Sequence, residues 1–184
     1  MEETDYLAFR KRFPIFNSKV YLNSCSQGAI SDAGEAAMQD YLDSWRSQGS
    51  PWEHWMEVQE ELRQAFAAMI GALPEEIAIT SSASAGIYSI ASSLRYDERS
   101  SVVLGELEFP TQCYVWLAQQ TRGAVIEWVP ARDGAITADE YRTHLDSRTL
   151  IVPTTHVCFR NGYRQDVCGH CTGRTQSRRV VFTG

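Results

Sequence analysis

The chain is short of positive charge and of long apolar runs. Its 184 residues hold 17 lysines and arginines against 23 acids, a net charge of −6. No basic stripe relieves that balance, so neither nucleic acid nor an acidic membrane surface is an expected partner. No apolar stretch approaches the roughly 20 residues that a membrane-spanning helix needs. The acidic start Met1-Glu2-Glu3 is the reverse of the basic region that opens a signal peptide. A cytoplasmic setting is therefore expected. Cysteine is sparse, and the five present (Cys25, Cys113, Cys158, Cys168 and Cys171) are an odd, scattered set that spells no disulfide framework. What the chain does have is apolar content, 43% hydrophobic and 11% aromatic, the proportions of a packed globular fold.

Helix-like and strand-like segments alternate at short intervals. Asp5 to Phe13 sets Leu7, Phe9 and Phe13 among charges and predicts a short helix, and Val20-Tyr21-Leu22 predicts a short strand before the polar loop Asn23 to Gly28. Ser31-Asp32 opens a helix in which Ala36, Ala37, Tyr41, Leu42 and Trp45 recur at three- and four-residue spacing as far as Gly49. Ser50-Pro51-Trp52-Glu53 has the form of a capping box with proline at the first helical position, starting a helix through Ile70 to Gly71. Beyond it the pattern predicts strands at 77–80, 101–105, 124–129 and 149–153. Helices are expected at 82–94, 111–120 and 137–145, the last opened by the capping box Thr137-Ala138-Asp139-Glu140. Short apolar strands separated by single helices point to parallel pairing buried on both faces. The expected fold class is α/β, three-layer, a mostly parallel sheet with flanking helices.

The rhythm breaks near residue 167. A parallel crossover after His156-Val157 would need another amphipathic helix, yet Cys168 to Gly184 shows no helical period and carries three arginines without an acid. Setting those three arginines apart from the net −6 leaves −9 on residues 1–167.

Three loops at strand ends are chemically unusual, and in open α/β sheets ligands sit there. Thr80-Ser81-Ser82-Ala83-Ser84-Ala85-Gly86 sets hydroxyls and small side chains at a strand-to-helix junction, where free N–H groups and the helix dipole attract an anion. Taken alone, it also reads as an ordinary serine N-cap. Glu106 to Thr111 sets Phe109 beside Pro110 at a strand exit, where an aromatic face can meet a planar ligand or simply join the core. Thr154 to Gly162 gathers His156, Cys158, Arg160 and Asn161 after the last clear strand, denser in polar function than a plain turn requires.

Taken in order, Val20-Tyr21-Leu22-Asn23-Ser24, Thr80 to Gly86, Glu108-Phe109-Pro110-Thr111 and Thr155 to Gly162 resemble the amino-terminal part of the class V aminotransferase family. These are the fold-type I pyridoxal-phosphate enzymes that include cysteine desulfurases and kynureninases. The resemblance covers about residues 5–167. It implies an N-terminal segment and helix at 1–49, a partial pyridoxal-phosphate-binding large domain at 50–167, and an atypical, non-native or disordered tail at 168–184. It further implies pyridoxal 5'-phosphate as cofactor, a small amino-acid substrate and a homodimer.

By the same resemblance, Ala83 offers a backbone N–H and Ser84 a hydroxyl to the cofactor's phosphate. Phe109 stacks on the pyridine, and Cys158 falls near the polar residue beside the phenolic oxygen. Phenylalanine, found there in kynureninases, cannot do the proton chemistry of the histidine found in desulfurases. The loop Asn23 to Gly28 resembles the substrate mouth of kynureninases most.

Members of the family continue with a helix, a strand ending in the aspartate that holds the pyridine nitrogen, and the Schiff-base lysine. Here the lysines are Lys11 and Lys19, and no Asp or Glu follows Asp166. The expectation is a truncated, inactive member without a catalytic residue, its continuation replaced near residue 167 by a frame change or early stop. Intact relatives would perform transamination, desulfuration or kynureninase-type cleavage.

Two rival readings come from the tail. Cys168-Gly169-His170-Cys171 has the spelling of a thiol-disulfide oxidoreductase site, but that chemistry wants the first cysteine at a helix N-terminus backed by a βαβ unit. Thirteen residues follow Cys171, too few to supply one. A zinc-binding module built from His156, Cys158, Cys168 and Cys171 has suitable ligand chemistry, with only half of the usual spacing.

Overall fold

Val102, Val103 and Leu104 are consecutive apolar residues, each fully buried, which requires a strand covered on both faces. The computed structural model describes residues 3–24, 27–166 and 180–183. It divides into two compact units, Met1–Ile79 and Thr80–Gly184.

Among the described residues of the second unit, four parallel strands lie in the order β2-β1-β3-β4: β1 Ser101–Gly105, β2 Val125–Val129, β3 Thr149–Thr154 and β4 Val180–Thr183. Among the same residues, helices α4 Ala83–Ser93, α5 Pro110–Ala118 and α6 Ala138–Thr143 flank the sheet. Alternate residues of the strands serve opposite faces. Val102, Leu104 and Ile151 pack with Ile87 and Ala91 of α4 and Trp116 of α5. Val103, Val129 and Val152 pack on the other side with Ile136 and Tyr141. The three-layer α/β arrangement expected from the alternation is therefore present. Trp116 is fully buried, so its truncation to alanine should cost about 3–5 kcal/mol.

The first unit is helical: α1 Glu3–Arg10, α2 Asp32–Gln48 and α3 Trp52–Ile70. Ser31 caps α2, its Oγ accepting from Gly34 N at 3.0 Å. The α2 and α3 helices meet where Trp55 Nε1 donates to Ser44 Oγ at 3.0 Å and the Tyr41 and Trp55 rings sit 5.2 Å apart. The expected capping box at Ser50 does not form. Pro51 is itself the cap, no side chain satisfies the first turn, and the Ser50 carbonyl accepts the Trp52 N–H at 2.8 Å.

Two expected strands are also absent among the described residues. Val20 and Leu22 are 85% and 86% exposed, and residues 20–22 have no ladder partner. Residues 77–80 form no ladder either, and the Ile77 carbonyl accepts from Arg63 Nη1 at 2.6 Å. Apolar, β-branched residues favour extended backbone, but a strand requires a neighbour to pair with. Conversely β4, which the sequence reading did not assign, is a Val-Val-Phe-Thr run paired with β3 in register Ile151 to Val180 through Thr154 to Thr183. The remainder of the tail, Cys168 and Cys171 included, lies outside the described residues, as does Cys25.

Candidate functional site

Parallel pairing of β1 and β3 delivers the loops that follow them to the same end of the sheet. A single carboxylate joins those two loops. Glu108 is 5% exposed. Its Oε1 accepts the Thr155 N–H at 3.0 Å, and its Oε2 accepts the Thr155 hydroxyl and the Gln112 Nε2 amide, the latter at 2.6 Å. Burial raises the carboxyl's pKa, while hydrogen bonds from Thr155 and Gln112 pull it back.

Phe109 follows directly and caps α5, with Pro110 at the first helical position. A residue preceding proline is pushed to extended backbone, and Phe109 adopts φ −64° and ψ 138°. The ring stays half-exposed. Phe159, from the loop after β3, meets it edge to face with centroids 5.0 Å apart and planes at 74°. That loop folds back as a narrow hairpin: Cys158 N donates to Tyr163 O at 2.8 Å, Gly162 N to Cys158 O at 2.9 Å and Gln165 N to His156 O at 2.8 Å.

The third contributor is the start of α4. Ser82 is the N-cap, its Oγ accepting from Ala85 N at 3.1 Å, while Thr80 Oγ1 donates to the Ser82 carbonyl at 2.9 Å. The first-turn N–H groups of Ala83 and Ser84 have no acceptor within a helix, and the dipole adds positive potential there. Both residues are exposed.

These parts enclose one cavity of about 250 Å³. Ala83, Ser84 and Ile87 line it from α4, Phe109, Thr111 and Gln112 from the head of α5, and Thr155 and Phe159 from the third loop. An anion fits the α4 end and a flat ring fits beside Phe109. Among the described residues, none that lines it is an acid, a lysine or a histidine, so the lining offers surfaces for a ligand but no titrating proton.

Three residues expected at a site, Ala83, Ser84 and Phe109, are thus brought together. Cys158 is not with them. It is 3% exposed, packed with Val103, Leu107 and Tyr141, and its Sγ donates to the Leu107 carbonyl at 3.8 Å. The hairpin turns its side chain into the core and leaves Phe159, the next residue, at the cavity. Sequence reasoning gave no role to Glu108, Gln112, Thr155 or Phe159. The available signal was a pair of acids, Glu106 and Glu108, alternating with apolar residues at the strand exit, together with the paired hydroxyls Thr154-Thr155.

His156, one of the four residues of the zinc reading, is exposed, whereas Cys158 is buried. Among the described residues no group of three His, Cys, Asp or Glu could hold a metal ion. No helix among them is long and apolar enough to cross a membrane.

The family model "Aminotransferase class-V" matches residues 21–172. An uncharacterized aminotransferase of Bacillus subtilis, YcbU, is 36% identical over 159 residues, spanning 86% of this chain and 42% of that protein. A kynureninase of Shouchella clausii is 32% identical over 127 residues, 65% of this chain and 30% of that one. Among solved structures, a mutant of C-DES with glycine covalently linked to its PLP cofactor superposes with a TM-score of 0.84 at 21% identity, over 95% of this chain and 48% of that chain. The cysteine desulfurase CsdA of Escherichia coli gives 0.79 at 20% identity, over 96% and 47%. The chain thus spans less than half the length of the relatives it matches. Intact relatives of this kind use pyridoxal phosphate. With the sheet order, the strand-end loops and the family match in agreement, this chain belongs to the class V aminotransferases, and its fold is that of the fold-type I pyridoxal-phosphate enzymes.

Proposed function

We propose that this chain supplies the phosphate-holding and ring-holding half of a pyridoxal 5'-phosphate site, in an enzyme that acts on amino acids by transamination, desulfuration or kynureninase-type cleavage. The cavity between the head of α4 and the Phe109 ring carries this reading. A phosphate dianion suits a helix N-terminus with small side chains, and Ser84 adds a hydroxyl beside it. A pyridine ring suits the half-exposed aromatic ring of Phe109, and Cys158 is not assigned a contact.

When bound, the cofactor supplies an electron sink at the substrate's α-carbon. The residues of this half bind and orient it. Phe109 can stack but cannot move a proton, which favours the kynureninase-type and transaminase-type reactions over desulfuration. Residues 80–184, which build the cavity, contain no lysine, and imine chemistry requires one. We therefore propose that these 184 residues alone do not turn over an amino acid. The family likeness adds a cytoplasmic homodimer as the assembled form, which sedimentation of the purified protein would check.

The test uses pyridoxine 5'-phosphate, whose alcohol cannot react with Lys11 or Lys19. Saturable binding by fluorescence titration, competed by inorganic phosphate and weakened by Phe109→Ala, is expected. A parallel incubation with pyridoxal phosphate and borohydride should give no stoichiometric label at one lysine. Amino-acid turnover by the purified chain, or no saturable binding, overturns the reading.

A further inference from the structure

The carboxylate of Glu108 lies behind the proposed cofactor cavity, and nothing in the proposed function uses it. It is almost wholly buried, yet it holds three donors from two segments that are 47 residues apart in one case: Thr155 N–H, Thr155 O–H and the Gln112 amide. A buried carboxylate is retained at a cost in solvation unless its oxygens are satisfied. Here all three donors come from residues that line the cavity. The same carboxylate is followed by Phe109, so its backbone also fixes where the ring begins.

We propose that Glu108 is a positioning residue: its two oxygens clamp Thr155 and Gln112 to the head of α5 and thereby set the width of the cavity beside Phe109. The inference rests on the cofactor reading above for its functional meaning, and on the hydrogen bonds alone for the clamp. The hydrogen bonds of the Glu108 carboxylate named above run to the head of α5 and to the third loop, not to α4, where the phosphate would sit. Its action should therefore be felt by a ring and not by a free phosphate. The clamp needs acceptor atoms at the right reach more than it needs a negative charge. A glutamine at 108 keeps one oxygen for the Thr155 N–H, and Gln112 can reverse its own amide to accept from the new NH₂. An aspartate keeps the charge but withdraws both oxygens by one methylene.

The two substitutions therefore separate position from charge. For wild type, Glu108→Gln, Glu108→Asp and Glu108→Ala, two quantities are measured: the Kd for pyridoxine 5'-phosphate, with inorganic phosphate as control, and the hydrogen-exchange rate of the Thr155 amide. Thermal melts confirm which variants fold. The expected order of ring affinity is wild type, then Gln, then Asp, with Asp weakened about tenfold because its shorter side chain no longer reaches Thr155 and Gln112 and those hydrogen bonds are lost, and with phosphate affinity unchanged throughout. Thr155 exchange should rise in the same order as its anchor is lost. If Glu108→Ala does not fold, the Gln and Asp variants carry the comparison.

Asp binding as tightly as Gln, or tighter, overturns the positioning role, because charge rather than reach would then be the requirement. Equal Thr155 exchange in wild type and Asp overturns the clamp itself. If wild type fails to bind pyridoxine 5'-phosphate at all, the cofactor reading falls, and the exchange order still decides on the clamp.

Discussion

The hydroxyl end of Tyr141 occupies the space that a β-carbon on Gly105 would take. Ile136 Cδ1 would lie 2.8 Å from the same added atom. Gly105 closes β1 immediately before the Glu106 to Thr111 loop, so its hydrogen is what allows α6 to pack tightly against the strand end. Tyr141 is 1% exposed there, and both burial and the nearby Glu108 charge raise its pKa. Gly105→Ala should destabilise the fold by about 1–3 kcal/mol through overpacking. The penalty should shrink, without vanishing, in a Tyr141→Phe background, which removes the nearer of the two colliding atoms and leaves Ile136 Cδ1. Urea unfolding of the four members of this cycle measures the coupling, and strict additivity would show that the two residues do not compete for the space.

Phe159 should act on the ring site through Phe109. The two rings meet edge to face at 5.0 Å, both line the cavity, and Phe109 stays half-exposed. Such pairs contribute about 0.5–1.5 kcal/mol, so Phe159→Ala should weaken pyridoxine 5'-phosphate by about 2- to 13-fold and leave inorganic phosphate unaffected. Equal losses for both ligands would place the effect in the fold rather than in the ring.

These predictions rest on residues that were unequally legible in the sequence. Val102, Val103 and Leu104 announce a strand buried on both faces, because consecutive apolar residues at strand spacing leave no solvent side, and β1 is where they require it. Thr137 and Glu140 likewise contain their whole capping box within four residues. Ile77 to Thr80 has strand-like residues, but pairing is non-local, and the Arg63 guanidinium that takes the Ile77 carbonyl is 14 positions away. Cys158 and Phe159 are neighbours in sequence, and only the hairpin closed by Tyr163 decides which faces the core. Glu108 reads as a solvated loop acid until Thr155 is known to lie beside it.

The same acid gives a pH dependence whose sign is fixed. Burial raises the folded-state pKa of Glu108 above its ordinary value near 4.5. A raised carboxyl favours the folded state fully below the unfolded pKa, and that advantage is lost as pH rises through the folded value. Wild type should therefore gain stability relative to Glu108→Gln as the pH falls from 7 to 4. Urea midpoints for the two proteins across that range provide the check, and a gap that is constant or moves the other way would contradict the assignment.

The head of α4 allows stability and binding to be driven in opposite directions. Ser82 already caps the helix through Ala85, so Ser84 is free of capping duty and sits in the first turn at the cavity. A carboxylate introduced by Ser84→Asp meets the positive end of the helix dipole and should stabilise the fold by about 0.3–1 kcal/mol. The same charge repels a phosphate dianion and competes for the N–H groups of Ala83 and residue 84. Affinity for both inorganic phosphate and pyridoxine 5'-phosphate should fall by about tenfold or more, while Ser84→Ala, which removes only the hydroxyl, should lose less. A protein that melts higher and binds worse is the result expected from an anion site at this helix. Unchanged phosphate affinity in Ser84→Asp would place the anion elsewhere.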